Sequence, residues 1–215
     1  TGTLLLVGEE QVLLWDLQQG RSIAEFNVCN VKYVSWSADN QRFALISKKS
    51  IHIIDRQSGS VSAVVEEPNQ VKSAVWSDDL LFYTNAHHLK YVLPNGDSGV
   101  VCTVDRPFYL LRVQDESVFV IDRQGQLQVI TIDPTEHAFK LALQRHDLQR
   151  VSEIIESSPL VGQAIITYLR KNGYAQVALR FVQDAGSRFE LAVEAGRLDI
   201  ALYEAERLKS RECWL

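Results

Sequence analysis

From residue 3 to residue 131 the apolar residues come in short runs of alternating character, broken by Gly, Asn, Asp and Ser. This is the period-2 pattern of half-buried strands. It reads as TLLLVG, QVLLWDL and RSIAEFNV, then VKYVSWS, RFALISK, SIHIID and SVSAVVEE. VKSAVWS, LLFYTNA, HLKYVLP and SGVVCTV follow, and finally FYLLRVQ, SVFVIDR and LQVITID, about fourteen strands grouped 3, 4, 4, 3. The turns have a mechanism: Ser37-Ala38-Asp39-Asn40, Gln57-Ser58-Gly59, Pro94-Asn95-Gly96 and Gln124-Gly125 supply residues that tolerate positive φ or bond their own backbone. From about residue 135 the period changes to i, i+3, i+4, i+7 and stays helical.

The strand region repeats. Val31-Lys32 lies over Val71-Lys72, Trp36-Ser37 over Trp76-Ser77 and Asp39 over Asp79, all at an offset of 40. WDLQQG (15–20) matches IDRQSG (54–59) at an offset of 39, and IDRQG returns at 121–125. A strand repeat near 40 residues marks propeller blades, each a small antiparallel meander that buries its faces against neighbours around a ring. The chain carries about 3.5 blades, roughly half a ring, so sheet faces left uncovered predict self-association. It contains no methionine and begins with threonine, which suggests part of a longer protein whose upstream residues complete the ring.

At the junction Asp133 suits a helix N-cap, Pro134 the first helical position, and Glu136 the position that reaches back to the cap amide. With no Gly/Ser linker, the strand and helical parts are expected to meet at a fixed angle. Beyond it Leu148, Val151, Ile154 and Ile155 form one stripe, and Ile165, Ile166 and Leu169 another. Val177, Leu179, Phe181 and Val182 make a third, continued by Phe189, Ala192 and Val193 and by Ile200, Ala201, Tyr203, Ala205 and Leu208. Gly162, Gly173, Gly186 and Gly196 are expected to stop helices of about 10 to 13 residues. Short helices and short turns stack as an α-solenoid of hairpins, and a four-helix bundle would use the same pattern. The final SRECWL adds no polar capping helix, so the stack is expected to continue. The expected organisation is β then α: propeller blades over 1–133 and a solenoid over 134–215.

Composition narrows the function. The chain is 46% hydrophobic and 23% charged, a globular balance. Net charge is −5; residues 1–133 hold 11 Lys+Arg against 16 Asp+Glu, and 134–215 hold 11 of each. That balance disfavours a polyanion such as nucleic acid. No run approaches a membrane span, and the N-terminus lacks a signal-peptide pattern. Cys29, Cys102 and Cys213 form neither a C-x-x-C pair nor a disulfide framework and read as reduced cytosolic thiols.

Several residues raise a question of chemistry. His87 and His88 are adjacent on a strand and point to opposite faces, which prevents joint chelation. Lys48-Lys49 reads as edge protection rather than an anion contact. The acidic pairs Glu9-Glu10, Glu66-Glu67, Asp78-Asp79 and Asp115-Glu116 recur at blade turns and read as solvated turns rather than acid/base pairs. Cys102 is expected to be buried and inert. Trp36, Trp76, Phe43 and Phe82 recur at blade period and read as core rather than a ligand cage. No catalytic, cofactor-binding or metal residue is nominated, and no enzyme activity is expected.

The pattern V-x-x-V-x-W-S-x-D, F-A-L-I-S, I-x-I-I-D resembles a WD repeat, with Trp15-Asp16 as its dipeptide. The match is degenerate: no Gly-His precedes the first strands, and Ile54-Asp55 and Tyr91-Val92 stand where Trp-Asp would. The resemblance therefore implies blades without their usual locking network. AVEAGRLDIALYEA looks like a tetratricopeptide-type turn. ITIDPTE followed by FKLAL, then LVGQAIITYLRKNGYAQVALRFVQD and RFELAVEAGRLDIAL, is similar to the alpha-subunit family of coatomer, the COPI vesicle coat. The beta-prime family, with a similar RFELAL element, is the nearest alternative, and propeller-solenoid subunits of ciliary transport trains share the layout. The resemblance implies the end of a second propeller and the start of a solenoid in a scaffold subunit for retrograde Golgi-to-ER and intra-Golgi transport. It implies other coatomer subunits as partners, beta-prime through the solenoid. It places the protein in the cytoplasm, peripheral on Golgi membranes and COPI-coated vesicles through the assembled coat. Cargo tails are expected at an upstream propeller, so no site residue carries over.

Overall fold

A computed structural model describes residues 2–157 and 163–208. Gly162, the C-terminal SRECWL segment and Cys213 lie outside the described residues. The described chain divides into two compact units, Thr1–His137 and Ala138–Leu215.

The first unit holds four antiparallel sheets in the expected 3, 4, 4, 3 grouping. The first is β1 (Thr3–Val7), β2 (Val12–Asp16) and β3 (Arg21–Phe26). The second is β4 (Tyr33–Trp36), β5 (Arg42–Ile46), β6 (Ser50–Asp55) and β7 (Val61–Glu66). β8 (Ser73–Ser77), β9 (Leu80–Thr84), β10 (His88–Val92) and β11 (Ser98–Thr103) make the third, and β12 (Phe108–Gln114), β13 (Ser117–Asp122) and β14 (Leu127–Thr131) the fourth. Each is a meander of sequential strands, and the edge strands β4, β8 and β12 stand beside one another. The expected turns take positive φ at Asn40, Gly59, Gly96 and Gly125.

Middle strands such as β5 and β9 are apolar without alternation because both of their faces are covered. Phe43 and Leu45 join Val12, Leu14 and Phe26 on one side, while Ala44 and Ile46 join Trp76, Leu81 and Tyr83 on the other. The aspartates closing strands do local work. Asp16 accepts the amides of Gln18 and Gln19 (2.8 and 3.1 Å), Asp55 that of Ser58 (2.8 Å), and Asp122 those of Gln124 and Gln126 (2.8 and 2.9 Å). The recurring aspartate is thus a turn former.

The repeat-equivalent tryptophans part company. Trp76 is buried and its indole donates to the Ser35 carbonyl of the neighbouring blade (3.0 Å), whereas Trp36 is 37% exposed. Trp36 packs one side on the buried Phe43 ring, 4.8 Å between centroids, and lines an open recess with β1 on the other.

The second unit is a row of helical hairpins: α1 (Thr135–Gln144), whose first turn belongs to the first unit, with α2 (Leu148–Ser157); α3 (Gln163–Lys171) with α4 (Ala175–Ala178); and α5 (Ala185–Glu194) with α6 (Leu198–Leu208). One cluster runs through it, from Phe139, Val151 and Leu169 to Val182, Leu191 and Ala201. The stripes need trimming: Leu148, Val193 and Tyr203 are exposed. Only four residues of α4 are helical. The amides of Arg180 and Phe181 bond three residues back, tightening the segment so that Leu179, Phe181 and Val182 pack from a turn. Gly186 is not a stop, because Asp184 caps α5 by accepting the Ser187 amide (2.9 Å), which places Gly186 in the first turn.

Gly173 (φ 81°) and Gly196 (φ 68°) do end helices. The amides of Tyr174 and Arg197 reach the carbonyls of Leu169 and Ala192, five residues back. The same turn follows α1, with Asp147 bonded to Ala142, but His146 (φ 57°) occupies the left-handed position. A side chain there is strained. His146→Gly is expected to stabilise the second unit by about 0.5–1 kcal/mol, read as a higher melting temperature.

Candidate functional site

The blade seams hold the buried polar chemistry of the first unit. Glu67, at the end of β7, is 1% exposed. It accepts from the Tyr83 hydroxyl (2.9 Å), the Lys90 ammonium (2.7 Å), the Asn85 amide group (3.3 Å) and the Asn69 backbone amide (3.2 Å). Burial pushes its carboxyl upward, but the bonds from Lys90, Tyr83 and Asn69 and the Lys90 charge outweigh that and leave it below its usual range. Burial and the same carboxylate hold the Tyr83 hydroxyl well above the ordinary tyrosine range. Glu67 therefore departs from the expectation of a solvated turn: it locks two blades, while Glu66 stays exposed.

A second lock replaces the missing WD-repeat residues. Ser73 and Thr84 bond each other (2.7 Å), the Leu110 amide donates to Ser73 (2.9 Å), and Thr84 donates to the Phe108 carbonyl (3.5 Å). Arg42 pairs with Asp79 of the next blade at 3.0 Å, so that member of an acidic pair also serves a seam.

The start of α1 is held by β9 and β10. Asp133 caps it, accepting the Thr135 amide (2.9 Å) and hydroxyl, which lowers the Asp133 carboxyl. Glu136 accepts the Tyr91 hydroxyl (2.8 Å), and Tyr91 lies over Gly99, where a Cβ would come within 2.5 Å of the ring. His137, 7% exposed, meets the edge of Phe82 and the ring of Tyr91, each at 5.4 Å. Burial holds its imidazole below the usual value against the opposing charges of Glu136 and Asp133. A depressed histidine keeps the fold neutral while the unfolded chain protonates, so stability is present above about pH 6.5 and falls as pH drops toward the folded value. Melts between pH 7 and 5 should show this slope, reduced in His137→Gln; His52, also lowered by burial, supplies part of the remainder.

In the second unit Arg188 is the counterpart of Glu67. Its guanidinium donates to the carbonyls of Leu179 and Val182 (both 2.9 Å) and to Glu204 of α6 (2.8 Å), itself 1% exposed. One side chain thereby closes α4 and ties it to α6.

The other residues singled out in the sequence are dispersed. His87 is exposed and His88 half-buried, with ring centroids 6.4 Å apart. Among the described residues no three His, Cys, Asp or Glu side chains form a group that could hold a metal ion. Lys48 and Lys49 are exposed at the β5–β6 turn, as are Glu9, Glu10, Asp115 and Glu116 at theirs. Cys102 is half-buried rather than fully buried, with burial raising its thiol. Ser50 approaches the His52 ring (3.2 Å) but also bonds Ser47 (2.9 Å), a turn arrangement onto which none of the main recesses opens. Those recesses, 340 to 640 Å³, are open. No described helix is long and apolar enough to cross a membrane.

The sequence readings missed Glu67 and Arg188. Glu67 reads as half of an acidic pair and Arg188 as one arginine among many, since the partners that define their roles come from other elements of the fold.

The arrangement is one of packing surfaces, and the comparisons agree. Coatomer subunit alpha of Saccharomyces cerevisiae is 42% identical over 99% of this chain, which spans 18% of that relative. Coatomer subunit alpha-1 of Arabidopsis thaliana is 41% identical over 100% of the chain, again 18% of its own length. The chain thus spans about a fifth of the curated relatives it matches, which are named as coatomer subunits and not as enzymes. Among solved structures, the beta-propeller domain of Cps50 (Swd1) from Myceliophteria thermophila superimposes with a TM-score of 0.51 at 15% identity, over 60% of this chain and 48% of that one, a likeness of fold alone. The family model described as the COPA/B second beta-propeller matches residues 1–122, more than half of the chain, and the chain belongs to that family.

Proposed function

We propose that the chain is the end of the second propeller and the beginning of the helical stack of an alpha-type COPI coatomer subunit, with the propeller part over 1–133 and the solenoid part over 134–215. Its role is structural: it builds the coat through protein–protein contacts and catalyses nothing. The observation that carries this reading is identity of about two-fifths with coatomer alpha subunits over both the strand region and the helices. The seams support it, since their buried polar groups link blade to blade and helix to helix. The subunit works in retrograde Golgi-to-ER and intra-Golgi transport, in the cytoplasm and peripheral on Golgi membranes and coated vesicles. Its partners are the other coatomer subunits, with beta-prime bound through the solenoid, and no nucleic acid.

Isolation of the tagged parent protein at moderate salt, followed by mass spectrometry of stoichiometric partners, tests the reading. Recovery with the other coatomer subunits supports it. Recovery with ciliary train subunits, or alone, refutes it.

A further inference from the structure

The blade repeat puts a lysine directly before the edge strand of two successive blades, Lys32 before β4 and Lys72 before β8. The backbone gathers them at one rim. The Lys32 amide donates to the Ile46 carbonyl (2.8 Å) and the Val71 amide donates to the Lys48 carbonyl (3.0 Å), so the turn carrying Lys48-Lys49 is stitched between the two strand entries. The charges sense one another: burial first, then Lys48 and Lys72, hold the Lys32 ammonium below the usual lysine range.

Among the described residues none of Lys32, Lys48, Lys49 and Lys72 forms an ion pair. The Lys72 ammonium donates to the Gln70 amide oxygen (2.8 Å), while nearby Lys90 pairs with Glu67. Like charges gathered without an ion pair repel, and an anionic partner relieves that repulsion. The excess is local, because the strand region carries more acidic than basic residues.

The neighbouring recess defines the partner further. It holds about 560 Å³ and is lined by the apolar Val7 and Val31, by Lys32 and Lys48, and by Glu9. The Glu9 carboxylate disfavours a compact polyanion such as a phosphate cluster, whereas the valines suit an apolar side chain. Cations spread over two blades match charges spread along a chain. We infer that this rim docks an extended acidic peptide segment of a partner protein, with an apolar residue seated against Val7 and Val31 and carboxylates over Lys32, Lys48 and Lys72. The rim itself carries the inference, which stands apart from the coat assignment.

The test uses the full chain and a fluorescent decapeptide of Asp and Glu around a central leucine, followed by anisotropy at low and physiological salt. Binding by the wild-type chain is expected to weaken with salt and to fall by at least about tenfold in Lys32→Glu/Lys48→Glu/Lys72→Glu. Arg123→Glu, an exposed reversal at a distant turn, should leave it unchanged. The corresponding triple Gln variant, with melting curves for each protein, separates loss of charge from loss of fold. Exchanging leucine for serine in the probe should weaken binding, and the Asn/Gln version of the peptide should not bind. The inference is overturned if a folded triple variant binds within about twofold of wild type, or if about 1 mM peptide fails to saturate the wild-type chain. Retention on phosphatidylserine vesicles or competition by inorganic phosphate, without peptide binding, would also overturn it.

Discussion

Glu67→Ala is expected to destabilise the propeller unit by about 3–5 kcal/mol, the cost of breaking a buried charge pair from one side. The substitution removes the acceptor of four donors, three of them side chains of the next blade. Lys90 keeps a charge in a position only partly open to water, and the Tyr83 hydroxyl and Asn85 amide group lose their acceptor where little water reaches. Unfolding followed by tryptophan fluorescence reads the loss directly. The control is Glu66→Ala one residue away, exposed and expected to cost within about 0.5 kcal/mol. Equal effects of the two would show that the network contributes nothing. Glu67→Leu with Lys90→Met should recover part of the loss by removing both charges, though not all, since Tyr83 and Asn85 remain unsatisfied. The wild-type seam also has a pH signature. A carboxyl depressed in the fold contributes stability above its unfolded value, about pH 4.3, and loses it as pH falls through the folded value. Glu67→Gln should flatten that acid limb.

Arg188→Ala is expected to cost the helical unit about 3 kcal/mol or more, because it leaves Glu204 buried with one fewer cation and uncovers the carbonyls of Leu179 and Val182. Lysine at this position keeps the charge but lacks the planar fork that spans three acceptors, so Arg188→Lys should fall between wild type and alanine. The more exposed partner of Glu204 is Arg207, 3.0 Å away, and its replacement by alanine should cost at most about 1 kcal/mol. Amide exchange across 175–182 supplies a second readout. Faster exchange there in Arg188→Ala, with little change at α1, is the expected pattern. Uniform acceleration through the unit would contradict a local closing role.

These side chains show where sequence reading ends. Period-2 alternation and Gly/Asp turns place the strands because both signals are local: the alternation reports which face is buried, and the turn residues report backbone geometry. The stretch FALI within β5, apolar at four successive positions, breaks that alternation, and the structure covers both of its faces. The Asp133 cap is legible for the same reason, since its acceptors and donors lie within two residues. Glu67, by contrast, looks like half of an acidic turn until Tyr83, Asn85 and Lys90 are brought to it from the next blade. Gly186 looks like a helix stop until Asp184 is seen capping the helix that contains it.

Trp36 and Trp76 make the division plainest. They occupy the same place in a repeat of 40 residues, and alternation with turn residues suffices to put each in a short strand of a blade. It takes the packing of blade on blade to bury Trp76, with its indole on Ser35, and to leave Trp36 37% open to solvent. Backbone geometry and alternation are properties of residues adjacent in the chain. Burial of a side chain at a blade edge is instead a property of whichever blade stands next to it.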